Sequence, residues 1–352
     1  MSRSYAEKRN FAFILTIDMK KKFLWQTRKQ ILSLLLCAGS MISAGCDNHN
    51  SQNPKIYFCN QEEGRDIVSV RDNYCNNLSK KDLYYRLHEK GMESTVDNYI
   101  AVACESVSEW SEEEISWWKK CFDRVFKVAD SCGYSLPLPG EIKVVNSAME
   151  EEGGAAGYTR GTTIFLNSKV MMGREEKGVE LVAHELFHVL TRNCPDFRKA
   201  MYKQVGFHVL DREIVLPDTL RKIQLSNPDV NLHDNYIKLH KGLEGDKPHA
   251  LFLYFGKPYA GGAFFNYFAI GLLPLDENMN PVMHEDGTPI IRSLYDYADF
   301  FEQVGRNTDY LLDVEEILAE NFVLALFGEE EKMVSPEVVA KVRGVMKNGH
   351  WK

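Results

Sequence analysis

What the chain lacks narrows it first. No apolar stretch reaches the roughly 20 residues that a membrane-spanning helix needs, and the run ILSLLLCAGSMISAGC over residues 31–46 stops short. No Cys-x-x-Cys pair is present, which removes thiolate zinc knuckles and thioredoxin-type redox pairs. No repeat of about 20 to 50 residues and no long low-complexity tract interrupts the 352 residues, so solenoids and fibrous arrays are excluded. Positive charge is scarce where a nucleic-acid surface would need it. The formal charge of -8 divides into a basic leader, with eight Lys or Arg against two acids over residues 1–45, and a body that carries -14. Such a body has no clustered cations to displace counterions, and nucleic acid drops out as a partner.

What is there is a globular composition, 44% hydrophobic and 26% charged, sufficient for the core of one large domain or two small ones. The basic leader followed by the apolar run has the layout of a signal peptide, which takes ordinary proportions if the chain starts at Met19 rather than Met1. The run ends in Ser43-Ala44-Gly45-Cys46, which resembles the lipobox of bacterial lipoproteins with Ser43 in place of the usual Leu. That resemblance implies lipidation of Cys46, export to the bacterial cell envelope and a membrane contact through the lipid. Plain signal cleavage and an uncleaved anchor are the alternatives. Beyond Cys46 lie Cys59, Cys75, Cys104, Cys121, Cys132 and Cys194, and an even number in an exported chain points to disulfides.

The chain divides into a leader over 1–45, a tether with a small helical Cys-containing extension over 46–108, and a main domain over 109–352. Within the main domain an α+β pattern is legible. SEEEISWWKKCFDRVFKVADSCG, from Ser111, has an N-capping residue, acids in its first turn and apolar residues at helical spacing, and predicts an amphipathic helix whose Trp pair packs in the core. EIKVVNS (141–147) predicts a strand, and AGYTRGTTIFLNS (156–168) a second strand or hairpin. Further helices are predicted at PDFRKAMYKQVGF, RSLYDYADFFEQVG, DVEEILAENFVLALFG and SPEVVAKVRGVM, whereas GGAFFNYFAIGLLPLD reads as apolar and irregular.

The chemistry concentrates in VELVAHELFHVL, residues 179–190. His184 and His188 stand at i and i+4 and project from one helix face, so both imidazoles can reach one cation with Glu185 beside them. Glu185 is then placed to take a proton from a water attacking a carbonyl and to pass it to the leaving amine. The apolar flanks bury the segment, and buried ionisable groups are costly unless paired or metal-bound. Glu180, one turn earlier, reads as an exposed or outer acid. The alternative, a chance motif with hydrogen-bonded core histidines, is disfavoured by two His flanking a Glu.

A catalytic zinc takes three protein ligands, so a third must lie elsewhere. The next turn does not supply it, because Thr191 and Cys194 stand where an extended HExxHxxGxxH motif has Gly and His. DVEEILAENFVLALF (313–327) is apolar almost all round after Ile317 yet carries Glu316 and Glu320 one turn apart. Glu316 is the predicted ligand and Glu320 the predicted acceptor for the second nitrogen of a ligand His. Glu315 is the alternative ligand, and Asp313-x-x-Glu316 also fits a helix capping box.

HELFH with the downstream EEILAENF resembles the gluzincin group of zinc metallopeptidases, and the second segment is similar to the glutamate helix of lethal-factor-type peptidases. The resemblance covers these two segments and their order. It implies a zincin-like fold, with an upper α/β lobe ending in the HExxH helix and a mostly helical lower lobe. It implies Zn2+ as cofactor and peptide-bond hydrolysis of a peptide or protein substrate by metal-activated water, with Glu185 as base. In that layout the edge strand near Tyr158 to Asn167 would pair with an extended substrate. Tyr310, close before Glu316, resembles a Tyr near the Glu ligand in lethal-factor-type enzymes and is a candidate oxyanion donor, with His233 as its rival. A non-catalytic zinc- or peptide-binding surface lipoprotein is the competing reading. The intact Glu185 argues against it.

Overall fold

The computed structural model describes residues 53–352 apart from positions 231, 241, 243–245, 263, 350 and 352. The expectations for the leader, for Met19 and for Cys46 lie outside the described residues. Among the described residues no helix is long and apolar enough to cross a membrane.

The first half builds one sheet with helices on both faces. Strand β1 (Lys55–Phe58) is followed by α1 (Gln61–Val68), α2 (Asn73–Asn77), α3 (Lys80–Leu87), α4 (Val96–Ser106) and α5 (Glu112–Ser131). Then come β2 (Glu141–Asn146), the hairpin β3 (Gly157–Arg160) and β4 (Thr163–Leu166), the short α6 (Ser168–Met171) and the long α7 (Glu175–Asn193). The strand order is β1-β2-β4-β3, with β3 antiparallel to β4 at one edge. Alternation along the strands supplies both faces. Ile142, Val144, Ile164 and Leu166 pack with Trp118, Phe122, Val182 and Leu186 of α5 and α7, while Val145, Tyr158 and Phe165 pack with Val68 and Ala103 of α1 and α4. Burial on both sides explains why β4 (Thr163–Leu166) and the end of β2 at Val144 and Val145 read as continuous apolar runs, while Glu141 and Lys143 of β2 stay exposed.

The predicted helix from Ser111 is α5. It is started by a reciprocal capping box between Ser111 and Glu114 and stops just before Gly133. Trp118 is fully buried, its indole N–H donating to Ser168 Oγ at 3.0 Å. Helix α7 lies close against α5 because position 178 is Gly. A Cβ there would come within 2.3 Å of the Trp117 ring.

The second half is α8 (Pro195–Gln204), β5 (Phe207–Val209), α9 (Asp218–Arg221), β6 (Asn235–Leu239), β7 (Lys247–Phe255) and β8 (Phe268–Pro274), then α10 (Ala298–Val304), α11 (Val314–Phe327) and α12 (Pro336–Asn348). Strands β5 to β8 form a second, antiparallel sheet in sequence order. This corrects the reading of residues 261–276: Phe268–Pro274 is a strand paired along its length with β7. RSLYDYADFFEQVG is not one helix either, since a short 3-10 turn over Leu294–Asp296 is separated from α10 by extended backbone at Tyr297.

Two other expectations change. All six cysteines from Cys59 to Cys194 are free thiols, so no disulfide joins the described residues. Cys75 and Cys121 are fully buried; Cys121 sits in the apolar core as a small hydrophobe, and the Cys75 sulfur also accepts from Arg160 Nη2 at 3.4 Å. Residues 55–108, expected as an extension, belong to the same compact unit as the rest of residues 53–352, with β1 pairing in parallel with β2.

Candidate metal centre

Helices α7 and α11 pack against each other, and the ionisable groups of the two meet at their interface. α11 begins at Asp313, whose side chain caps the helix by accepting from the Glu315 N–H at 2.9 Å. The capping-box reading of Glu316 is set aside, because its carboxylate turns away from the cap. Oε2 lies 3.1 Å from His184 Nε2, and Oε1 accepts from Asn227 Nδ2 at 2.7 Å.

Each imidazole is oriented by a second carboxylate of the same helix. His184 Nδ1 is 3.0 Å from Glu320 Oε1, and His188 Nδ1 is 3.1 Å from Glu315 Oε1. Glu315 is buried and also accepts from Tyr202 Oη at 2.6 Å and from Thr191 Oγ1, so its geometry is over-determined. Glu315 thus holds His188 from behind, and its place as an alternative to Glu316 is corrected: the carboxylate facing both Nε2 atoms belongs to Glu316. Glu320 is less enclosed than its apolar run implied, with a side chain 41% exposed.

With the Nδ1 protons committed, both Nε2 atoms face oxygen. His188 Nε2 is buried without a hydrogen-bond partner and stands 4.0 Å from Glu316 Oε2 and 4.0 Å from Asp229 Oδ1. Burial opposes protonation of both imidazoles, but the facing carboxylates raise them; a neutral His188 would present its lone pair to two carboxylates, an arrangement that a proton or a metal cation relieves. Two overlapping sets, His184 with His188 and Glu316, and Glu185 with His188 and Asp229, bring one donor atom from each member within 4.8 Å of the others. The residues therefore fit a divalent metal ion held by imidazole nitrogen and carboxylate oxygen.

Charge follows the same crowding. Burial opposes ionisation of Glu316, yet the His184 hydrogen bond and the charges of His188 and His184 bring its carboxyl below the usual range. Burial pushes Glu185 up, against the pull of His188 and His184. Burial and the facing Glu185 push Asp229 up.

Glu185 is buried on the sheet side of α7, where Thr159 Oγ1 of β3 donates to its Oε2 at 2.7 Å. The strand approaches this closely because residue 157 is Gly; a Cβ would lie 2.8 Å from Glu185 Oε1. Of the hairpin only β3 is an edge strand, since β4 is flanked by β2 and β3; β1 is the other edge of the sheet. That narrows the expected edge from residues 158–167 to Gly157–Arg160. Tyr310 lies beside the centre, its ring 6.3 Å from that of His184. Burial, with Glu316 and Asp229 nearby, raises its phenol and keeps it protonated. His233 is placed differently: it accepts from Gln224 Nε2 at 2.9 Å and its backbone N–H donates to Glu213, so its partners are not the residues around His188. Glu180 pairs with Lys177 at the surface. Asp229, Asn227 and Thr159 escaped the sequence reading because they lie on a loop and an edge strand without a periodic signature.

A family model described as the eCIS core domain matches residues 142–194. The matched segment runs from β2 through α7, so it contains His184, Glu185 and His188 but neither Asp229 nor Glu316. No curated protein and no solved structure gives a significant match.

Proposed function

We propose that the chain is a zinc-dependent peptide hydrolase of zincin-like architecture, with His184, His188 and Glu316 as the metal ligands and Glu185 as general base. The observation that carries this reading is the buried, partnerless Nε2 of His188, aimed with His184 Nε2 at one carboxylate oxygen of Glu316 while both Nδ1 atoms are tied to Glu315 and Glu320. Carboxylate-oriented histidines are the usual support of a zinc site, and two His with one Glu leave a position open for chemistry. Zinc, when held there, supplies electrophilic polarisation of the attacking water and the scissile carbonyl.

The chain's own groups do the rest. Glu185, positioned by Thr159, takes a proton as the water oxygen bonds to the carbonyl carbon, and returns it to the amine nitrogen as the C–N bond breaks. The protonated phenol of Tyr310 is the donor for the developing oxyanion. Strand β3 offers the backbone edge for an extended peptide or protein segment. Export to the cell envelope and lipid attachment at Cys46 remain part of the proposal, resting on the leader sequence.

The competing reading, a surface lipoprotein that binds zinc or peptide without catalysis, gives no reason for a Thr159-held carboxylate at position 185. Metal analysis of purified protein tests the proposal. About one zinc per chain is expected, and protein that neither carries zinc as isolated nor takes it up on addition overturns it.

A further inference from the structure

The segment Ser226 to Val230 passes over the centre and is fixed at several points. Ser226 is tied to the N-terminal helices: its N–H and Oγ donate to Asp82 at 3.1 and 2.9 Å, and its carbonyl accepts from Arg86 Nη2 at 2.8 Å. Asp82 and Arg86 are buried and paired with each other, and Arg86 also binds Glu152, so the anchor is part of the fold's interior. One residue on, Asn227 holds Glu316 through its side-chain N–H and the backbone N–H of Asp229 through its oxygen, at 2.7 and 3.0 Å. Arg192 of α7 clamps the carbonyls of Pro228 and Asp229 at 3.3 and 2.8 Å.

This places Asp229 in a specific position. Its Oδ1 accepts from the Thr159 N–H at 2.7 Å and faces His188 Nε2 at 4.0 Å. The Thr159 carbonyl, on the same free edge of β3, accepts from Arg192 Nη1 at 2.9 Å. The two backbone groups of Thr159 that an incoming peptide would use are thus already taken, by Asp229 and by the arginine that holds it. Oδ1 also shares the space around His188 with Glu185.

Taking the centre as a metal site, we propose that Asp229 is its fourth protein ligand and that Ser226 to Val230 acts as an internal plug, standing in for substrate along β3. In this state Asp229 Oδ1 stands 4.0 Å from His188 Nε2, grouped with His188 and Glu185 rather than with His184 and Glu316, and a bound metal would draw it towards the His184, His188 and Glu316 donors to make an N2O2 set. The centre opens to water and substrate only when Asp229 is withdrawn. Such a set fits the four-coordinate preference of zinc and explains why a loop, rather than solvent, covers the partnerless nitrogen.

The test uses the whole chain loaded with Co2+, whose visible absorption reports its coordination, and acetohydroxamate, which binds only at a vacant position. In wild-type protein the spectrum is expected to be unchanged by acetohydroxamate. In Asp229→Ala and Asp229→Asn it is expected to shift, with metal retention against a chelator weakened by about tenfold or more. The Asn variant keeps an acceptor for the Thr159 N–H, so it reports on ligation if the Ala variant does not fold. Equal hydroxamate response in wild type and both variants, with equal metal retention, overturns the plug while leaving the metal centre intact. Wild-type protein that binds neither Co2+ nor zinc overturns the metal centre, and this inference with it.

Discussion

His188 Nδ1 lies 3.1 Å from Glu315 Oε1, and this one bond decides which nitrogen of the ring is left to face the centre. Glu320 does the same for His184 at 3.0 Å, one turn and a little further along the same helix. The two supports differ in cost. Glu320 is half-exposed, whereas Glu315 is buried and also satisfies Tyr202 and Thr191. Glu320→Ala is expected to weaken zinc retention by roughly tenfold with stability changed by less than about 1 kcal/mol. Glu315→Ala is expected to weaken retention by up to about 100-fold and to destabilise the fold by several kcal/mol, because it strands the buried Tyr202 hydroxyl and His188 Nδ1. Chelator competition and urea denaturation measure the two quantities; equal stability losses for the pair would contradict this division.

Under the proposed function, variants of Glu185 and Glu316 should separate catalysis from metal binding. Glu185→Gln removes the base but no donor of the His184, His188 and Glu316 set, so zinc content should stay near one per chain while hydrolysis of a peptide falls by about 100-fold or more. Glu316→Ala should lose most of the zinc. A Glu185→Gln protein that cleaves at the wild-type rate refutes the role of this carboxylate.

Gly157 makes a geometric prediction. Its missing side chain is what lets β3 approach Glu185 Oε1, and an added methyl would overlap that oxygen at 2.8 Å. Gly157→Ala should therefore lower turnover with zinc content preserved, and should cost about 1–3 kcal/mol of stability as an overpacked contact. Turnover equal to wild type would show that Glu185 has room to retreat.

Glu151 carries a pH signature independent of the centre. Its carboxyl is fully buried, Oε1 accepts from Tyr158 Oη at 2.8 Å, and Oε2 has no partner. Burial and the neighbouring Glu152 push it up from 4.5 to about 7. The sign follows directly. A carboxyl raised on folding is favourable in its protonated form, so its contribution is present below the unfolded value of 4.5 and is lost as pH rises towards 7, by on the order of 3 kcal/mol. Glu151→Gln cannot ionise, and its stability relative to wild type should rise between about pH 4 and about pH 8. Denaturation curves at both pH values check this, and a constant difference would rule it out.

Much of the centre was legible because helices advertise their faces. His184 and His188 are one turn apart, and Glu316 and Glu320 repeat that spacing in a segment otherwise apolar, so a burial cost pointed to both pairs. Helix α5 announced itself through its cap. Asp229 carried no such mark: an acid after Asn-Pro reads as a turn, and only the fold shows that the turn arrives at His188. The second sheet was hidden in part because Gly and Pro punctuate residues 256–274, although β8 pairs with β7 throughout. Cysteine parity misled, since an even number of thiols says nothing about whether any two face each other.

The docking of α7 on α11 has one further consequence. The two histidines come from one helix and Glu316 from the other, so neither helix alone holds a complete donor set. A cation bound there is bound by the packed pair and hardly at all by the unfolded chain, which makes free metal concentration a thermodynamic variable of folding. Each tenfold rise in free metal above its dissociation constant adds about 1.4 kcal/mol to the native state, and chelation removes it. If the centre holds a metal as proposed, the same helix contact would tie the persistence of the protein to the metal content of its surroundings.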